Sequence, residues 1–341
     1  MSTEPSLNAD VPPGAGSNGT KPLALVTGAA GFIGSHISEA LLGRGYRVRG
    51  VDMFTAYYPK HFKLRNLKPF MDNDDFEFNE VDLRTADLAF LSEGASVVYH
   101  QAAQAGVRAS WGKEFETYTE HNINVTQRLL EHFKDKPLDR FVYASSSSVY
   151  GDAVSLPMKE TDRPQPYSPY GVSKLAAEHL CRLYTRNFGL PTVSLRYFTV
   201  CGPRQRPDMA FHKLIKAILK DEEFTVYGEG DQTRDFTFVA DAVAANLAAA
   251  ENGKPGEVYN IGGGARISLK EAIAMLESVM GRKSKIKFDE KQKGDPAHTV
   301  ADTSRAREDF GYQPRTPLKE ALRLEAEWLE ELLLERGELT S

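Results

Sequence analysis

The sequence predicts an α/β protein: a doubly wound, mostly parallel sheet joined to a smaller α/β lobe drawn largely from the C-terminal half. Three observations predict it. Short β-branched runs alternate with helix-length segments as far as Tyr197, the pattern of consecutive βαβ units. A glycine-rich turn, "GAAGFIG" from Gly28 to Gly34, follows the first run directly, and Asp52 closes the second.

In chain order, residues 1–20 are rich in Pro, Gly, Ser and Asn and are expected to form a disordered leader; they lack the basic and apolar segments of a signal peptide. The strand candidates are then "LALVTG", "YRVRGVD", "FEFNEVD", "SVVYHQA", "RFVYASS" and "PTVSLRY", which define a sheet domain over residues 21–197. "GEVYNIGGG" reads as a further strand that returns the chain to this sheet at about 235–262. Beyond Phe198 the pattern loosens into Pro- and Gly-marked turns, and the smaller lobe is placed at 198–234 and 263–341. Its helix candidates are "AFHKLIKAIL", "SLKEAIAMLESVM" and the terminal "PLKEALRLEAEWLEELLLERGE", whose charges suit a solvated face.

Composition narrows the function. With 341 residues, 41% of them hydrophobic, the chain can bury a sizeable core. A net charge of −5 without a long basic run leaves no electrostatic footprint for nucleic acid. No apolar run approaches the roughly 18 residues that span a bilayer, so no membrane partner is expected. Cys181 and Cys201 have neither metal-ligand nor redox-motif spacing and read as free thiols in a reducing cytoplasm. The eight histidines include no HExxH, and no metal is expected.

The glycine turn is where chemistry enters. Gly28, Gly31 and Gly34 sit between a strand and a helix that begins near Phe32, so their backbone can approach a pyrophosphate at the helix N-terminus. Asp52 then stands where a carboxylate accepts the adenosine ribose hydroxyls and repels a 2′-phosphate, which favours NAD over NADP. Asp82, after the third strand, is a candidate to flank the adenine. Downstream, Tyr170 and Lys174 are four apart in "YGVSK" and share a face if the segment is helical. A nearby ammonium favours phenolate, which makes Tyr170 a candidate base. The fifth strand ends in "ASSSSVYG" at the edge where such folds bind ligands; spacing alone does not choose among Ser145, Ser146, Ser147 and Ser148.

Together these features resemble the extended short-chain dehydrogenase/reductase family, with its Rossmann sheet, and in particular its nucleotide-sugar epimerases. The glycine fingerprint, "HQAAQAGV", the serine strand, "YGVSK", "RYFTVCGP" and "RDFTFVAD" occur in the expected order over nearly the whole chain after the leader. The resemblance implies Ser146 as the substrate-orienting hydroxyl, Tyr170 as acid/base, and Lys174 as a nicotinamide-ribose ligand that lowers the tyrosine pKa. It extends the NAD contacts to Phe32, Ile33, Leu83, Gln101, Ala102 and Ala103.

Ser147 and Ser148 stand where the 4,6-dehydratases carry an Asp-Glu pair and the UDP-glucuronate decarboxylases have a glutamate, which leaves an epimerase as the implied activity. "RYFTVCGPRQRPDMAFHKLI" is similar to the matching segment of UDP-glucuronic acid 4-epimerases and implies that Thr199 and Arg206 face a sugar carboxylate, where a guanidinium binds bidentately. Galactose epimerases have Asn in place of Thr199. Arg108 is implied near the diphosphate or sugar, Arg234 at a phosphate and Asp295 at the uridine ribose, while Gln292 replaces an arginine of the galactose enzymes. Arg234 reads equally as an ion-pair partner of Asp231 or Asp235. The implied reaction is reversible C4 epimerisation of UDP-glucuronic acid through a 4-keto sugar with retained NAD, in a homodimer formed through helices near "NINVTQRLLEHF" and "KLAAEHLCRLYTRNF".

Overall fold

A computed structural model describes residues 21–152, 155–290, 294 and 296–339. The leader, Gln292 and Asp295 lie outside the described residues.

Seven parallel strands form the central sheet. They are β1 (Leu23–Thr27), β2 (Arg47–Asp52), β3 (Phe76–Glu80), β4 (Ala95–His100), β5 (Arg140–Ser146), β6 (Thr192–Tyr197) and the late strand Val258–Ile261. From one edge the order is Val258–Ile261, β6, β5, β4, β1, β2, β3. Every pairing is parallel, and β1 is buried along its whole length, as expected when helices cover both faces. The two faces bury separate apolar sets. Val26, Ile37, Leu41, Leu195 and Val243 pack on one side; Leu25, Val98, Leu129, Phe141 and Cys181 pack on the other.

The chain winds in opposite directions from β1, toward β2 on one side and β4 on the other, so a crevice opens at the carboxyl ends of β1 and β4. The third strand stops at Glu80, earlier than its sequence run suggests, because Asp82 is turned into a bend by bonds from the Arg84 amide at 2.9 Å and its guanidinium.

The helix that carries Tyr170 spans Pro169–Phe188, and its ends are written locally. Ser168 caps it by accepting the Gly171 amide, proline occupies the first turn, and Gly189 ends it at φ +73°. A further apolar cluster lies between the helices Ala210–Lys220, Leu269–Met280 and Leu318–Glu335 and includes Phe211, Leu214, Leu276, Leu322 and Leu329. Three two-stranded ribbons lie outside the central sheet: Val200–Cys201 with Thr237–Phe238, Glu223–Tyr227 with Lys285–Asp289, and Thr233–Asp235 with Arg266–Ser268. The sequence patterns locate all three helices. They miss Val239–Asn252, an Ala-rich helix whose wide apolar surface gives no sharp period.

Candidate active site

The crevice is lined by Gly28, Gly31, Phe32, Ile33 and Gly34, by Asp52, Asp82 and Leu83, by Gln101, Ala102 and Ala103, and by Tyr170, Lys174 and Arg206. The structure therefore brings together every proposed cofactor contact and the acid/base pair. Gly28 adopts φ +69°, and a Cβ there would lie 2.7 Å from the Ala102 nitrogen; a Cβ on Gly34 would lie 2.1 Å from the Gly28 oxygen. Only glycine permits this close backbone approach. No side chain caps the helix Phe32–Gly43, which begins after Gly31, and its first amides are directed to whatever enters the cleft. This cradle fits a dinucleotide pyrophosphate.

Asp52 ends β2 with both of its bonds on Oδ1, from the Phe54 amide at 2.8 Å and Lys63 Nζ at 3.4 Å. Lys63 is buried and belongs to the cleft wall, a residue the sequence reading missed. It offsets part of the negative charge assigned to Asp52.

Behind the acid/base pair, Lys174 Nζ donates to the Ala144 carbonyl at 2.8 Å. Burial, with Arg206 adding to it, holds its pKa down to about 7. Burial pushes the Tyr170 phenol up, opposed by the Ser146 hydroxyl and by the Arg206 guanidinium. Arg206 is thus a second cation, beside the expected Lys174, whose charge favours the phenolate. The strand also discriminates among the serines. The Ser145 hydroxyl is buried and donates to Glu178 at 2.6 Å, while Ser146 accepts the Ser148 amide at 3.1 Å and faces the phenol.

Asn122 fixes both walls. From a π-helical turn, Thr119–Asn124, its side-chain oxygen accepts the Gln104 amide at 2.7 Å and its side-chain nitrogen donates to Ser173 Oγ at 2.9 Å. The Ser173 hydroxyl in turn donates to the Tyr170 carbonyl at 2.8 Å.

Arg206 is presented by a loop that is pinned at successive residues. The Gly202 amide donates to Glu325, the Pro203 carbonyl meets His36 Nε2 at 3.0 Å, Arg204 pairs with Glu39, and the Gln205 side chain donates to the Val200 carbonyl. Arg206 itself donates from Nε and Nη2 to the two oxygens of Asp208, at 2.9 and 3.0 Å. Those bonds use one edge of a five-donor fork and leave the Nη1/Nη2 edge for a ligand.

Of the remaining predicted substrate contacts, Thr199, Arg108 and Arg234 fall among the described residues. Thr199 follows β6 and uses its carbonyl to accept the Thr237 amide. Arg108 is exposed and packs 4.6 Å over the Tyr227 ring. Arg234 donates to the Thr233 and Ala297 carbonyls; Asp231 is paired with Lys270, and Asp235 accepts three backbone amides. Among the described residues no cluster of three His, Cys, Asp or Glu side chains could hold a metal ion.

A glycine cradle at the switch point of a doubly wound sheet, facing a Tyr/Lys pair at the sheet's carboxyl edge, defines a dinucleotide-dependent enzyme of the extended short-chain dehydrogenase/reductase type. More narrowly, the chain belongs to the NAD dependent epimerase/dehydratase family, whose model matches residues 24–262. It is 47% identical over 312 residues to a Bacillus subtilis (strain 168) protein described as an uncharacterized UDP-glucose epimerase, covering 90% of this chain and 98% of that one. It is 36% identical over 313 residues to the UDP-glucuronate 4-epimerase of Thermodesulfobacterium geofontis (strain OPF15), covering 90% and 96%. Among solved structures, the UDP-glucuronic acid 4-epimerase of Bacillus cereus, in complex with UDP-glucuronic acid and NAD, superposes with a TM-score of 0.89 at 46% identity, over 91% of this chain and 99% of that one.

Proposed function

We propose that this protein is an NAD-dependent UDP-glucuronic acid 4-epimerase that interconverts UDP-glucuronic and UDP-galacturonic acid. One observation carries the choice of sugar: Arg206 lines the same cleft as Tyr170 and Lys174, and its engagement with Asp208 leaves a donor edge matched to a carboxylate. Bound NAD would supply the hydride acceptor and donor for the sugar C4 carbon. Gly28, Gly31 and Gly34, with the first amides after Phe32 and Ile33, would hold its pyrophosphate. Asp52 would hold its adenosine ribose, Asp82 and Leu83 its adenine, and Gln101, Ala102, Ala103, Tyr170 and Lys174 its nicotinamide half.

The chain's own residues then manage the proton and the pose. Tyr170 accepts the C4 hydroxyl proton as the alcohol becomes a ketone and returns it after the ring has turned. Ser146 orients the same oxygen. Arg206, helped by Thr199, restrains the carboxylate, while Arg108, Arg234 and Asp295 serve the UDP end. The enzyme acts as a homodimer through the helices Val125–Phe133 and Pro169–Phe188; exposed Val172, Leu183 and Phe188 on the latter support this. Two buried free thiols support a cytoplasmic setting. No described helix is long and apolar enough to cross a membrane.

Incubation with UDP-glucuronic acid, with and without added NAD, followed by proton NMR and mass, tests the reading. A product of unchanged mass with the galacturonate C4 signal supports it. Loss of carbon dioxide would make the protein a decarboxylase, and activity on neutral UDP-hexoses alone would favour a UDP-glucose epimerase, as the Bacillus subtilis relative is described. Bound NAD without any turnover would leave a non-catalytic NAD-sensing or scaffold protein.

A further inference from the structure

We propose that Asp208 and Tyr57 are positioning residues that keep the Arg206 guanidinium on the sugar carboxylate and away from the C4 oxygen, suppressing loss of carbon dioxide during epimerisation. The proposal rests on the uronate reading above and assigns the sequence segment a second task beyond binding. Both Asp208 oxygens are engaged by Arg206, and Oδ2 also accepts the Tyr57 hydroxyl at 3.2 Å. That hydroxyl is wedged against the chain: a Cβ on Gly106, itself at φ +106°, would lie 2.3 Å from the Tyr57 oxygen. Tyr57 belongs to the turn after β2 and lines the same cleft as Arg206. Through Asp208 the guanidinium is therefore linked to the turn after β2 as well as to its own loop.

The chemistry explains why such a tie is needed. Oxidation at C4 leaves a β-keto acid. In the leak, the C5–C6 bond breaks, carbon dioxide departs, the electron pair moves onto the C4 carbonyl oxygen as an enolate, and C5 then takes a proton from water. A cation on the carboxylate stabilises the reactant, whereas the same cation on the C4 oxygen stabilises the enolate and hastens the loss. Arg206 is close enough to Tyr170, the group that serves the C4 oxygen, to favour the phenolate. An untethered guanidinium has a short path to the wrong oxygen. The side-on pairing with Asp208 closes that path while leaving the outer donor edge for the carboxylate.

The test measures, by mass, the ratio of pentose to uronate products formed from UDP-glucuronic acid. Wild type, Asp208→Asn and Tyr57→Phe are compared, with circular dichroism and retained NAD confirming the fold. Asp208→Asn replaces an acceptor with an amide donor facing Arg206 and should raise the pentose fraction on the order of tenfold, the effect of losing one charge-assisted bond. Tyr57→Phe keeps the ion pair and removes only the Tyr57–Asp208 bond, so a smaller rise is expected. A raised KM in both variants with an unchanged pentose fraction would reduce Asp208 to a structural clamp and overturn the proposal while leaving the epimerase reading intact. Failure of wild type to convert UDP-glucuronic acid would overturn both.

Discussion

The Lys174 amine donates to the Ala144 carbonyl at 2.8 Å and lies 5.2 Å over the Tyr143 ring, so the cation next to the proposed base is held by the floor of the sheet. Its burial has a thermodynamic signature. The folded pKa of about 7 lies well below the unfolded value of about 10.4, so between these limits the unfolded chain binds the additional proton. Stability contributed through this group therefore improves as pH rises across that window and is worst below it. With cofactor stripped, Lys174→Met should be more stable than wild type near neutral pH, and the advantage should shrink toward pH 10 in denaturant titrations. Parallel stability curves would contradict the depressed pKa.

Glu325 presents the opposite case. Its carboxyl is fully buried on the helix Leu318–Glu335, accepts the Gly202 amide at 2.7 Å, and leaves Oε1 without a partner among the described residues. Burial pushes its pKa well above the ordinary carboxylate range. The folded state then holds a proton that the unfolded state gives up above about pH 4.3, so stability through Glu325 is fully present below that point and is lost as pH rises through the folded pKa. Glu325→Gln keeps an acceptor for Gly202 without the titration. Thermal unfolding should show the variant gaining on wild type as pH rises from about 5 to about 8; a constant difference would show that the carboxyl is not held protonated.

The glycine loop was legible because its signal is local: strand, turn and helix follow one another in sequence, and the helix begins at Phe32 as the pattern requires. The seven strands were legible for the same reason. Asp208 was not, although it stands two positions from Arg206, because its role appears only when the fold brings Tyr57 to it from 151 positions away. Glu325 and Gly202 are 123 positions apart, and Lys63 meets Asp52 only because the turn after β2 folds back. Asn122 bridges two walls that no periodicity connects. Residue type and spacing reveal which groups can do chemistry, whereas long-range contacts decide which of them are already committed to one another.

The loop's glycines should differ in their tolerance of a methyl group. A Cβ on Gly34 would meet the Gly28 oxygen at 2.1 Å, while one on Gly31 would meet the same atom at 3.1 Å. Both contacts are with backbone, but only the first demands that the cradle open. Gly34→Ala should therefore lose about 1–3 kcal/mol more stability than Gly31→Ala through overpacking, and because both glycines line the pyrophosphate cradle both variants should purify with less bound NAD than wild type. Nucleotide released on denaturation, measured by absorbance and chromatography, checks the binding; wild-type retention in both variants would exclude the cradle as the pyrophosphate site.

Tyr170 is the point on which the mechanism turns. Burial raises its pKa, while the Ser146 hydroxyl and the Arg206 charge oppose that rise. If the phenolate takes the C4 proton, kcat increases with pH along a one-proton limb and levels off above the pKa of the complex. Removing the opposing charge with Arg206→Ala should move that limb to higher pH, besides sharply weakening UDP-glucuronic acid turnover, because the neutral phenol is then favoured further. Ser146→Ala should move it the same way by loss of a donor to the phenolate. Tyr170→Phe should abolish the limb and lower turnover by about 10²–10⁴-fold, the usual contribution of a positioned acid/base, while NAD stays bound. A folded Tyr170→Phe variant with near-normal turnover, or an Arg206→Ala profile displaced toward lower pH, would assign the proton transfer to another group.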